Sequence, residues 1–346
     1  FALISGIVMV FVGLFCARGT LELMDTPADV IDQAALYMKI YFCGMPFFML
    51  YNYGAAILRA VGDTKRPLLF LIISGAVNAA LNLFLVIVFS MGVAGVAIAT
   101  VFSQIISCVL VLECLLGTDS CYRLQITKLG IKWEYLVQIF QVGVPAGIQS
   151  VVINFSNVLL QSSVNSFGSI AMAGYTAANN IFGFLFVSVN SITQACMSFT
   201  SQNYGAGDLR RCKKIFRYCM LFGVVFTEIL SAVFMIWDDF FVSIYTTSSA
   251  VAAFAISRMR HVCSLEGLTA TYEVESAALR GMGKSLEPAI FTVLGTVVFR
   301  LIWMATIFRL VPTFEMLMDV YVASWVFTGG ALLIVYLRHM RKVSHA

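Results

Sequence analysis

The chain has 346 residues, a mean hydropathy of +0.91, 60% hydrophobic residues and only 12% charged ones. Soluble domains carry about a quarter charged residues, so this composition excludes a water-soluble globule, a nucleic-acid binder and a disordered chain. The net charge of +4 is spread over short basic clusters between apolar runs, the pattern of a polytopic membrane protein.

A bilayer core takes about 20 apolar residues per helix. Ten runs qualify, at roughly 1–17, 33–58, 67–90, 92–116, 136–166, 171–202, 212–237, 250–279, 288–311 and 314–337. None alternates with period two, which argues against an outer-membrane barrel. The first run begins at Phe1 with no initiator Met, as a fragment would. Arg59, Lys65 and Arg66 open one set of links, followed by Arg123, Lys128 and Lys132, then Arg210, Arg211, Lys213, Lys214 and Arg217, then Arg280 and Lys284, then Arg338, Arg341 and Lys342. The alternate links hold only Arg18 and Arg309, so the basic set and the C-terminus are expected on the cytoplasmic side of a cell (inner) membrane. Lys39, Arg258, Arg260 and Arg300 fall inside or at the edge of spans. Nine cysteines without a CxxC and three histidines without ligand spacing argue for buried thiols and no metal site.

Polar residues inside the apolar runs are the candidates for chemistry. Asn78 and Asn82 lie four apart, one helical turn after Ser74, and Thr100 follows on the next run. Two amide carbonyls and a hydroxyl suit Na+ or a protonated carboxyl, and equally suit interhelical hydrogen bonding. The run 136–166 carries Ser150, Asn154, Asn157, Gln161 and Asn165 on one stripe, and the next run carries Asn180, Ser191, Gln194 and Ser198. Facing amide stripes of this kind line a wet cleft or pack two helices. Tyr51 is assigned to the same cavity set. Glu266 and Glu273 share a stripe with Thr269, Ser276 and Arg280, while Glu275 points roughly the other way. A carboxylate in a bilayer costs a few kcal/mol, which points to a cavity, a proton or a cation. Gly283-Lys284-Ser285 imitates the end of a P-loop, but Ala278 stands where the loop needs its first glycine, so no ATPase and no other enzyme is indicated.

The chain repeats itself. YNYGAAILRAVGDTKRP at Tyr51–Pro67 aligns with YEVESAALRGMGKSLEP at Tyr272–Pro288 after a shift of 221 residues, with Tyr51/Tyr272, Ala56/Ala277, Leu58/Leu279, Arg59/Arg280, Gly62/Gly283 and Pro67/Pro288 identical. The same shift pairs Thr26 with Thr247 and Lys39 with Arg260. Arg59 and Arg280 read as structural anchors of the repeat. An even number of spans separates the two segments, so the halves are parallel, as in many secondary transporters. If the second half starts near residue 136, its counterpart would start about 85 residues before Phe1, room for two more helices. The expected fold is an all-α polytopic membrane protein of two parallel six-helix bundles, with twelve spans in the whole and about ten here.

ILRAVGDTKRP at 57–67, ALRGMGKSLEP at 278–288, SQNYGAGDLRRCKK at 201–214, VGVP at 142–145 and GVAGVAIATVFSQ at 92–104 resemble the MATE family of multidrug and toxic compound extrusion transporters. The resemblance implies residues 1–118 as an N-terminal lobe holding the family's helices 3–6, residues 119–135 as a cytoplasmic linker, and residues 136–346 as a C-terminal lobe of helices 7–12. It implies antiport by alternating access, with Na+ or H+ entering as an organic, often cationic, compound leaves, and no resident cofactor. Asn78, Asn82 and Thr100 match a cation site of the N-terminal lobe whose central Asp belongs to a helix upstream of Phe1. The Glu that some relatives carry on the seventh helix is replaced here by the amide stripe. A flippase for lipids or lipid-linked oligosaccharides, from a related branch, is the alternative; a stripe mainly amide and acidic favours a cationic cargo. The expected partners are small organic molecules and the lipid bilayer, with the protein a monomer.

Overall fold

The computed structural model describes residues 1–23 and 30–344; Thr26 of the repeat lies outside them. The described residues are helical, with no strand among them. The chain divides into two compact units, Phe1–Lys132 and Trp133–Ala346.

The first unit is built from α1 (Ala2–Leu23), α2 (Ile31–Cys43), α3 (Met45–Ala60), α4 (Lys65–Leu83) and α5 (Gly92–Leu116), with α4 running on into a π-helical turn at Phe84–Val88. Helix α1 packs on α2 and α3, and α5 packs on α2, α3 and α4. Their shared core is Tyr51, Ala55, Leu58, Phe70, Val111 and Leu115. Helices α2 and α3 bend by 47° about Gly44 and together satisfy the length and apolarity of one span. Leu68, Leu69, Leu71 and Ile72 are at least half exposed on the outside of α4. In water such a surface would be untenable; in hydrocarbon it is the solvent-facing side.

The second unit contains α6 (Trp133–Asn165), α7 (Ser169–Gly205), α8 (Leu209–Ile236), the short α9 (Asp238–Ser243), α10 (Ser249–Cys263), α11 (Gly267–Gly281), α12 (Leu286–Thr292), a π-helical stretch Val293–Val298, α13 (Phe299–Ala305), α14 (Ile307–Leu310) and α15 (Phe314–Ser344). Helix α11 sits at the centre, against α7, α8 and α15. That position explains its composition. Among the described residues eight helices are long and apolar enough to cross a bilayer, and the bent α2–α3 pair adds a ninth. The remaining run, 250–279, is not one span of this kind: it is two 15-residue helices, α10 and α11, separated at Ser264–Glu266, and it carries the charged side chains of Arg258, Arg260, Glu266, Glu273, Glu275 and Arg280. Being wrapped by other helices, it tolerates them.

A helix broken at membrane depth must satisfy its free N–H groups within the protein. Glu228 of α8 does this for α11: its Oε1 accepts the Gly267 N–H at 2.7 Å. A Cβ on Gly267 would lie 2.6 Å from that same oxygen, so any larger residue would push the capping carboxylate aside. The 221-residue repeat places residue 265 opposite Gly44, so both halves break the equivalent helix at the equivalent place.

The repeat also shares its turn. After α3, Gly62 has φ +88° and Asp63 N–H returns to Leu58 C=O at 2.9 Å; after α11, Gly283 has φ +78° and Lys284 N–H returns to Leu279 C=O at 2.9 Å. Pro67 and Pro288 each stand third in the helix that follows. In each turn the glycine supplies the left-handed residue past the helix end. Gly283→Ala is therefore expected to cost about 1–2 kcal/mol of stability, read as a lowered melting temperature of the purified protein; an unchanged melting temperature would refute the turn's role.

Candidate functional site

In the first unit, α4 and α5 bring a small polar cluster together. Asn82 Nδ2 donates to Asn78 Oδ1 at 3.0 Å, and Asn78 Nδ2 contacts Ser103 Oγ at 3.4 Å. Ser103 in turn donates to Thr100 C=O at 2.7 Å, while the Thr100 hydroxyl donates to Val96 C=O at 2.9 Å. Asn82 Oδ1 is buried with no hydrogen-bond partner among the described residues. The cluster therefore offers one uncommitted hard oxygen, with Asn78 and Ser103 fixing the amide that carries it. Ser103 is a member that spacing did not single out; it stands one turn from Thr100 on the same face. Tyr51, expected in a cavity wall, is instead a core residue of this unit: it is buried, and its hydroxyl donates to Pro67 C=O at 3.1 Å, tying the two ends of the repeat motif together.

The second unit encloses a cavity of about 580 Å³. Helix α6 contributes Gln149, Ser150, Asn154 and Asn157, and α7 contributes Phe182, Phe186, Asn190, Thr193 and Gln194. The α10–α11 pair contributes Arg258, Glu266, Thr269, Tyr272, Glu273 and Arg280. Thr296, Arg300, Tyr321 and Trp325 complete the wall. Asn154, Asn157, Gln194, Glu266 and Glu273 thus share one space. Gln161, Asn165 and Asn180 do not line it. Near Gln161 the two helices contribute Leu160, Val164, Ala171 and Tyr175 to an apolar core cluster, while Gln161 is half-buried and Asn180 exposed. Ser276 is buried away from the cavity, and so is Glu275, at 2% exposure.

Three arginines change the balance of the wall. Arg300, on α13, donates from Nε to Ser324 Oγ at 3.1 Å and from Nη1 to Asn157 Oδ1 at 3.2 Å. Arg258, on α10, donates from Nη2 to Asn179 Oδ1 at 2.6 Å, and its guanidinium lies 3.6 Å from the centre of the Tyr175 ring. Arg280, one of the repeat anchors, donates from Nη2 to Gln149 Oε1. The same cavity is lined by Glu266, whose Oε2 is buried with no hydrogen-bond partner among the described residues, and by Glu273. The sequence placed Arg258 and Arg300 within spans without a role; an ionisable residue at membrane depth was itself the signal that could have found them. The aromatic lining, Phe182, Phe186, Tyr272 and Trp325, carried no such signal, because most aromatic residues of a membrane protein pack elsewhere.

A family model described as MatE matches residues 1–84 and 145–305. The probable multidrug resistance protein YoeA of Bacillus subtilis (strain 168) is 28% identical over 302 residues, which cover 85% of this chain and 65% of YoeA. The probable multidrug resistance protein YpnP of the same organism is 32% identical over 203 residues, 58% of this chain and 44% of YpnP. The multidrug export protein MepA of Staphylococcus aureus (strain NCTC 8325 / PS 47) is 22% identical over 250 residues, 72% of this chain and 55% of MepA. The chain therefore spans less than two thirds of these relatives. Among solved structures, an outward-facing multidrug resistance MATE family transporter of the MOP superfamily matches with a TM-score of 0.90 at 22% identity, covering 99% of this chain and 77% of that one. A MOP superfamily transporter from Pyrococcus furiosus matches with a TM-score of 0.90 at 21% identity, covering 99% and 76%. At these identities the structures establish the fold, and the family match, which covers most of the sequence and reaches into both units, establishes the membership: this multi-pass membrane chain belongs to the MatE family.

Proposed function

We propose that the chain exports amphipathic organic compounds across the cell membrane in exchange for Na+ or H+, by alternating access of an N-terminal lobe (1–118) and a C-terminal lobe (136–346). The observation that carries this reading is the cavity of the second unit. Its volume of about 580 Å³ falls within the ~300–1,000 Å³ typical of small-molecule sites. Its amides, aromatic rings and charges of both signs suit flat, charged molecules better than lipid tails. The names of the similar proteins, multidrug resistance and multidrug export, point the same way.

In this reading Asn154, Asn157 and Gln194 contact the cargo, and Glu266 and Glu273 meet a cationic group on it or take up a proton. The Asn78, Asn82 and Thr100 cluster serves the coupling ion in the N-terminal lobe, with Asn82 Oδ1 meeting it and Asn78 holding the Asn82 amide in place. The basic links and the C-terminus face the cytoplasm, and the protein works as a monomer in the bilayer. A flippase for lipids or lipid-linked oligosaccharides gains support from Arg258, Arg280 and Arg300, which suit a phosphate; Glu266 and Glu273 on the same wall weigh against a pyrophosphate cargo.

Expression in a bacterium lacking its own efflux pumps is expected to lower ethidium accumulation several-fold, and collapsing the ion gradients should restore it. Unchanged accumulation of ethidium, rhodamine 123 and other cationic dyes would overturn the reading.

A further inference from the structure

We propose that Arg258 and Arg300 form a docking site for an oxyanion group, a carboxylate, sulfonate or phosphate, on an aromatic cargo. The inference rests on taking the cavity of the second unit as the cargo site, and it concerns which chemistry that site selects.

Both guanidiniums are buried, at 4% and 5% exposure. Both stack on one ring: Arg258 lies 5.3 Å and Arg300 4.7 Å from the centre of Tyr321. Two like charges sharing one ring in a low-dielectric setting repel each other, and each has also lost its hydration. The usual remedy is a carboxylate partner. Among the described residues neither arginine has one within the 4.0 Å of an ion pair, although Arg260, a neighbour on the same helix, pairs with Asp238 at 3.1 Å.

What holds the pair instead is neutral and oriented. Asn179, Asn157 and Ser324 each accept one N–H, Met318 Sδ takes Arg258 Nη1 at 3.8 Å, and the Tyr175 and Tyr321 hydroxyls bond to each other at 2.7 Å, which fixes the rings beneath. These partners leave part of each fork uncommitted. Among the described residues Arg300 Nη2 has no hydrogen-bond partner, and neither has Arg258 Nε, which is buried. A guanidinium fork matches a carboxylate or phosphate in two parallel hydrogen bonds. The arrangement is a rigid, desolvated positive floor that Glu266, on the same cavity wall, offsets only in part, and an oxyanion on the ligand supplies the rest. Phe182 and Trp325 beside it offer flat apolar surface for the body of such a molecule. Glu273, on the same wall, leaves room for a basic group on the same cargo, so an amphoteric aromatic compound satisfies both ends.

The experiment uses the full chain, purified and reconstituted in nanodiscs, with two xanthene dyes of nearly equal size: fluorescein, which carries a carboxylate, and the cation rhodamine 123. Binding is read by fluorescence anisotropy. Arg300→Gln is expected to weaken fluorescein binding at least tenfold and to leave rhodamine 123 within twofold. Because Arg300 also braces Asn157 and Ser324, Arg300→Lys serves as the second variant: it keeps the charge, loses the fork, and should weaken fluorescein about threefold. Wild-type protein that fails to bind fluorescein, variants that bind it as tightly as wild type, or an equal loss of both dyes would each overturn the proposal. Displacement of fluorescein by farnesyl pyrophosphate would support the site and identify a lipid-linked source for the oxyanion; persistence of binding would support it for soluble aromatic acids. If dye binding behaves as expected while cells show no efflux, the export reading fails and the oxyanion site stands. If efflux persists without fluorescein preference, the reverse holds.

Discussion

Gly174→Leu should abolish recovery of folded protein, and Gly174→Ala should lower its melting temperature and loosen the cavity wall. Gly174 lies on α7 where α10 crosses it. A Cβ there would fall 2.7 Å from Val251 O, 2.7 Å from Phe254 Cβ and 3.0 Å from Ala255 N. Two of these atoms are backbone, so no rotamer change relieves the clash; the helices must separate. The neighbouring contacts are small as well, with Ala171, Ala178 and Ala255 at 0% exposure, which is how membrane helices approach closely without a hydrophobic drive between them. Overpacking a well-filled site costs about 1–3 kcal/mol, and a leucine against main chain belongs at or beyond the top of that range. Total stabilities run at roughly 5–15 kcal/mol, so one such change consumes much of the margin. The same interface seats Arg258 of α10 over Tyr175 of α7 at 3.6 Å. Gly174→Ala is therefore expected to weaken fluorescein binding along with stability, whereas Gly183→Ala, at an α7 position with nothing within 4 Å of the added Cβ, should change neither. Detergent-solubilised yield by size-exclusion chromatography and melting by intrinsic fluorescence are the measurements. Wild-type yield for Gly174→Leu would show that α7 and α10 do not pack as described.

How far the sequence speaks can be followed along single helices. The apolar runs announce most of the helices directly, because hydrocarbon permits little else than a satisfied backbone. The α10–α11 break was hidden. Ser264–Glu266 contains no proline or glycine, and the carboxylate that permits the break, Glu228, lies on another helix. Pattern reasoning along 250–279 had no access to that partner. The repeat did carry the information indirectly, since Gly44 and Pro46 punctuate the equivalent segment of the first unit. The candidate cavity shows the same division. Helical spacing grouped Glu266, Thr269, Glu273 and Arg280 because the last three sit on α11 and Glu266 stands immediately before its first residue. It extended the amide stripe too far, to Gln161 and Asn180, because periodicity gives the face of a helix but not how far along it a cavity runs. Arg258 and Arg300 converge on Tyr321 from separate elements, a contact that only packing reveals.

Asn82→Ala should remove most of the ion dependence of transport, by tenfold or more, while Asn82→Asp retains it. Of the polar atoms in the α4–α5 cluster, Asn82 Oδ1 is buried and uncommitted. The other members are spent on each other: Asn78 Oδ1 accepts from Asn82, Ser103 is held between Asn78 and Thr100, and the Thr100 hydroxyl is turned to its own helix. A cation entering this cluster would meet a carbonyl oxygen already stripped of solvent and oriented, so little reorganisation opposes binding, and hard oxygen is the donor Na+ or a hydrated proton requires. Alanine deletes that oxygen and also leaves the Asn78 carbonyl unpaired; aspartate preserves an oxygen at the same reach and adds charge. A purely structural role predicts a different pattern, since loss of the Asn82–Asn78 bond, which braces the Asn78 contact to Ser103 across to α5, would lower the melting temperature without changing the ion response. Proteoliposomes of the purified chain, given a Na+ gradient and a pH gradient separately, distinguish the two. The ion that stimulates wild-type dye transport should fail to stimulate Asn82→Ala at any concentration that saturates wild type, with dye binding unchanged. Equal stimulation of Asn82→Ala and wild type would assign Asn78 and Asn82 to helix packing and send the search for the coupling site to Glu266 and Glu273.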